Sequence, residues 1–135
     1  MEFVNFEIAK KLKEKGFKEE CLAFYGKSGD LRYNGFDASG YVDISDLYAS
    51  YNLSEAYDAP TISRVLKWLR EEKKYHIEFV GNACGYLFIV SDIPSLGGTD
   101  IYCSDYSGPN DGGCWDTYEE AALAGIEYAL DNLLT

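Results

Sequence analysis

The chain has 135 residues, room for one folding unit with its own core, and at 47% hydrophobic and 16% aromatic it is too apolar to stay disordered. Its net charge of −11 repels nucleic-acid phosphates, which excludes direct DNA or RNA binding as the expected role. The longest apolar run, Tyr86 to Val90, is far short of a bilayer span, and Glu2, Asn5 and Glu7 interrupt the start, so a cytoplasmic, non-membrane protein is expected.

In chain order, the first predicted element is a helix from about Asn5 to Lys15, with Ile8, Ala9 and Leu12 on one face. Gly16 then suits the left-handed position after the cap, and Phe17 would return to touch Leu12. Leu22 to Tyr25 and Leu31 to Tyr33 read as strands around the turn Gly26-Lys27-Ser28-Gly29-Asp30. Gly26-Lys27-Ser28 is not a phosphate loop, because Cys21 stands where a Gly is required and a strand rather than a helix follows. From Asn34 to Asp58 the pattern is weak and tyrosine-rich, with Val42 and Ile44 as one strand-like piece.

A second helix is predicted to open at Pro60, whose fixed φ suits a first turn, with Ile62, Val65, Leu66 and Leu69 facing inward and Trp68 widening the stripe. Tyr75 to Val80 alternates as a strand, and Tyr86 to Ser91 is apolar on both faces, as a central strand would be; the two should pair as an antiparallel hairpin. A Gly-, Asp- and Ser-rich stretch from Asp92 to Gly113 contains one strand-like piece, Ile101-Tyr102-Cys103. The last helix starts at the capping box Thr117 and Glu120, with Tyr118, Ala122, Ile126, Ala129, Leu130 and Leu133 as its buried face. Gly125 in its middle implies close approach of another backbone. The fold class is therefore α+β: a single domain with an antiparallel sheet of about four strands and three helices.

No catalytic constellation is legible. The lone histidine, His76, shares a strand face with Glu78, so the one enzymatic alternative is a cysteine activated by His76. Cys21, Cys84, Cys103 and Cys114 lack the short paired spacings of closed zinc sites, and reduced structural thiols are expected. Asp92, Asp100, Asp105 and Asp111 do not follow the EF-hand ligand order, and turn chemistry accounts for them. No metal and no cofactor is expected.

The informative feature is charge placement. Residues 81–135 carry nine acids and no Lys or Arg. Asp116, Glu119 and Glu120 sit where a helix N-terminus favours negative charge. Glu127 and Asp131, like charges one turn apart, have no such local reason, and with Glu120 they mark one acidic stripe. Tyrosines such as Tyr41, Tyr48 and Tyr51 offer amphipathic rings suited to interfaces. Together these predict a non-enzymatic protein that binds a partner with a basic surface, or another copy of itself. Mimicry of DNA to inhibit a nucleic-acid enzyme is the alternative from the same charge.

Ala59-Pro60-Thr61, Trp68-Leu69-Arg70-Glu71 and His76-Ile77-Glu78, with Asp116-Thr117-Tyr118-Glu119-Glu120-Ala121, Ala124-Gly125-Ile126 and Ala129-Leu130, resemble small uncharacterised proteins of gut bacteria and their phages or mobile elements. That resemblance implies no catalytic residue. Tyr86 to Pro94 followed by Asp116 to Ala121 also resembles the strand, turn and capped helix of HicB-type antitoxins, from which the insert Ser95 to Trp115 departs.

Overall fold

A computed structural model describes residues 2–19, 21–26, 28–33, 36–37, 40–41, 56–92, 100–104, 108–110 and 114–134. Among them the chain forms three helices and eight strands in three antiparallel sheets, an α+β fold richer in strands than the four expected. Three of the four extra strands lie within 36–58, where pieces of two residues are too short to carry a hydrophobic period, and the fourth is the strand-like piece around 101–103. The residues gather into two compact units, 1–61 and 62–135.

In the first unit, helix α1 (Phe6–Glu14) is capped by Asn5, whose Oδ1 accepts from the Ile8 N–H at 2.9 Å. At its end Gly16 has φ 88°, the Gly16 N–H donates to Lys13 O and the Phe17 N–H to Leu12 O at 3.0 Å. These are the two bonds of a Schellman motif, and Phe17 is buried as its apolar closure. Strands β1 (Ala23–Tyr25) and β2 (Leu31–Tyr33) pair antiparallel, and β5 (Tyr57–Asp58) lines the other side of β1. Strands β3 (Phe36–Asp37) and β4 (Gly40–Tyr41) form a separate ribbon. Ile8, Ala9, Leu12, Ala23, Phe24 and Ala59 make the core.

The second unit layers two helices on the three-stranded sheet β6 (Tyr75–Asn82), β7 (Gly85–Asp92) and β8 (Asp100–Cys103), in that order, with β7 central. Helix α2 (Ile62–Glu72) begins two residues later than Pro60 predicts. The Pro60 carbonyl instead accepts from the Val4 N–H at 3.0 Å, and Thr61 pairs with Phe3, so these residues are held extended. Helix α2 packs on β6 and on helix α3 (Tyr118–Asn132), and α3 packs on β7 and β6. Ile77, Phe88 and Val90 from the sheet are buried with Val65, Leu69, Ile126 and Leu130 from the helices.

Two expectations for α3 change. Tyr118 is 40% exposed and Leu133 is the C-cap, while Ala121 and Gly125 join the buried face. What comes close to Gly125 is side chain rather than backbone: a Cβ there would lie 3.1 Å from Ile77 Cγ2 and 3.3 Å from the Phe88 ring. A small residue lets the helix settle onto Ile77 and Phe88 of the sheet face beneath it.

Candidate functional site

The site grows out of the way the chain returns to the free side of β7. Strand β8 pairs with β7 through Tyr102 opposite Val90, and Ser104 then clasps Phe88: the Ser104 N–H donates to Phe88 O, and the Phe88 N–H donates to the buried Ser104 hydroxyl at 2.9 Å. The chain leaves after this point and comes back at Trp115, which exchanges two backbone hydrogen bonds of 2.8 Å with Tyr86. Tyr102 and Trp115 are therefore brought to one edge of the same strand, with Phe88 between them.

Helix α3 closes the other wall. Ala124, Glu127, Tyr128 and Asp131 follow i, i+3, i+4, i+7 spacing and share one face of the helix. Phe88, Tyr102, Trp115 and Tyr128 with Ala124, Glu127 and Asp131 line a groove of about 230 Å³. The rings form a connected set. Tyr102 and Tyr128 stack at 3.9 Å between centroids and 15° between planes, and Phe88 lies 5.6 Å from Trp115 and 5.7 Å from Tyr102. Phe88 is 2% exposed and forms the floor; Tyr102, Trp115 and Tyr128 are half-buried and present partial surface.

Of the residues singled out from the sequence, Glu127 and Asp131 thus come together, in aromatic company the sequence reading did not foresee. Glu120 is exposed in the first turn of α3, outside the groove lining, and its N–H donates to the Thr117 cap at 3.1 Å. Tyr41 contributes backbone to β4, and Tyr48 and Tyr51 lie outside the described residues, as do Val42 and Ile44.

Arg64, Lys67, Arg70, Lys73 and Lys74 all stand exposed on α2 and the turn after it, and α2 packs both on β6 and on α3.

His76 is exposed on the sheet face opposite the helices, in register with Ser91 and one alternation from Glu78. Cys84 sits in the turn beyond the far end of that strand, more than roughly 20 Å away by strand rise. Cys103 is on the third strand opposite Ile89, two strand spacings across and two residues along, or roughly 12 Å off. Cys114 is buried, its Sγ 3.6 Å from Asn82 Oδ1. All four cysteines are thiols, and among the described residues no three His, Cys, Asp or Glu side chains gather as metal ligands would. No helix is long and apolar enough to cross a membrane among those residues.

A wider, shallower concavity lies at the tip of the β6–β7 hairpin, where Asn110 Nδ2 donates to Cys84 O at 2.8 Å and to Asp116 Oδ1 at 2.7 Å. Those bonds fasten the returning loop to the hairpin.

No protein-family model, curated protein or solved structure matches the chain.

Proposed function

We propose that the protein is a non-enzymatic accessory protein of the cytoplasm that acts by binding a partner protein through a basic surface, with the α3 groove as the contact. One observation carries the reading: two carboxylates one helical turn apart border a connected set of aromatic rings, in a stretch of chain with nine acids and no Lys or Arg. Aromatic rings with polar tips and a depressed count of lysines are what protein-binding surfaces favour, and a field of one sign speeds encounter with the other.

Calorimetric titration with an unstructured peptide of mixed Lys and Arg tests it. Binding is expected at low salt, weaker as salt rises, and reduced several-fold by Glu127→Gln/Asp131→Asn. Glu2→Gln/Glu14→Gln, which removes the same charge from exposed positions in the first unit, should leave it almost unchanged. Equal loss from both double variants would reduce the effect to net charge and defeat the proposal.

A further inference from the structure

We infer that the open edge of β6 pairs with the same edge of a second copy, antiparallel and about a two-fold axis at Ile77, so that two three-stranded sheets become one. No residue of β6 lines the groove, and this surface is independent of the binding role proposed above.

The edge follows from bonds already made on the other side of the sheet. Tyr86 and Phe88 direct their N–H and C=O away from β6, Tyr86 to Trp115 and Phe88 to Ser104. Antiparallel bonding alternates along a strand, so β7 bonds to β6 through Leu87, Ile89 and Ser91, opposite Val80, Glu78 and His76. The residues between them, Tyr75, Ile77, Phe79 and Gly81, therefore turn their N–H and C=O outward, where among the described residues nothing bonds to them. Strand β6 is eight residues long against four for β8, and its register on β7 is unbroken. It contains no Lys and no Pro, and no bulge turns it aside; these are the devices that close an exposed edge to other chains.

Two observations make the occupant a second copy. With the axis at Ile77, the exposed His76 of each copy stands opposite the exposed Glu78 of the other, an imidazole donor against a carboxylate, twice over. On the opposite face the half-buried rings of Tyr75 and Phe79 become cross-strand neighbours, also twice. An axis one residue further along would set Glu78 directly against Glu78, like charges face to face. Ile77 itself is buried in its own core and contributes only main chain at the axis. The second observation is charge: residues 61–80 carry five Lys and Arg against three acids in a chain of net charge −11, so each copy offers the other the stretch least opposed to it.

Sedimentation equilibrium of the whole chain is expected to show a monomer–dimer equilibrium. In the ¹⁵N-labelled chain the amides of Tyr75, Ile77 and Phe79 should shift on dilution, and those of His76, Glu78 and Val80, already bonded to β7, far less. His76→Glu sets carboxylate against carboxylate and should weaken the dimer several-fold, while His76→Glu/Glu78→His, with the net charge of the native chain, should restore it. These positions are exposed, so folding is not at stake. Under mild oxidation an equimolar mixture of His76→Cys and Glu78→Cys should form a disulfide between the two substituted positions, mapped by mass spectrometry, and either variant alone far less. A monomer at every concentration, or a dimer in which the Ile77 and Phe79 amides do not move, would overturn the proposal. Efficient cross-linking of Glu78→Cys to itself would overturn the axis at Ile77. A monomeric chain whose β6 edge amides move when the mixed basic peptide is added would assign the edge to a partner strand and overturn self-pairing. Failure of that peptide to bind anywhere would remove the groove reading and leave the dimer standing.

Discussion

A Cβ built on Gly85 would lie 2.0 Å from the carbonyl oxygen of Trp115, and Gly85 holds φ at 123°, so the backbone of one residue occupies the space a side chain of the other would need. That approach lets Trp115 pair with Tyr86 and so sets the aromatic edge of the groove.

Gly85→Ala should therefore destabilise the protein by roughly 3 kcal/mol, combining a backbone conformation hostile to alanine with a clash against main chain that cannot swing aside. Gly16→Ala separates the two effects. Gly16 shares the left-handed backbone but has nothing within 4 Å, so its loss should be only about 1 kcal/mol. Urea midpoints of the two variants check the ordering; equal losses would mean that the contact with Trp115 contributes nothing.

Lys74 is the opposite case, a non-glycine residue with φ 65° at the exit of α2. The Lys74 ammonium donates to Glu71 O at 2.8 Å in full exposure, a small return for the strained backbone. Lys74→Gly is expected to stabilise by about 0.5–1 kcal/mol, read as a raised thermal midpoint. A lowered midpoint would show that the side-chain bond outweighs the strain.

In the β1–β2 turn, the Ser28 hydroxyl donates to Asp30 at 2.6 Å and the Arg32 guanidinium pairs with its other oxygen; together they hold the carboxyl below the ordinary aspartate value of 3.8. A lowered folded-state pKa favours the charged form, so the contribution to stability is present above that ordinary value and fades as pH falls through the lowered midpoint. A carbon-detected titration of the Asp30 carboxyl should show a midpoint below 3.8, moving upward in Ser28→Ala. An unmoved midpoint would remove the hydroxyl as the main cause.

The sequence carried what local chemistry encodes. Asn5, Gly16 and Phe17 specify both ends of α1, Thr117 specifies the start of α3, and the alternation of β6 against the two-sided apolarity of β7 specifies their hairpin and its central strand. The acidic pair was legible for the same reason, since Glu127 and Asp131 are neighbours by helical spacing alone. The aromatic half was not. Tyr102, Trp115 and Phe88 are separated by up to 27 residues and meet only because the chain leaves β7 after Ser104 and rejoins it at Trp115, a register that depends on Gly85. Tyr128 could have been found, standing beside Glu127 and one turn before Asp131 on the same helical face. Pro60 misplaced the start of α2 because its carbonyl is taken by Val4, a pairing invisible to helix signals.

The most direct measurement is a map of backbone amide shifts as the mixed Lys and Arg peptide is added to the labelled chain. The account predicts changes concentrated at Tyr102, Trp115 and residues 124–131, with the first turn of α3 around Glu119 and Glu120 moving far less despite its equal share of carboxylates. Changes centred on Glu119 and Glu120, or spread evenly over acidic positions, would contradict it.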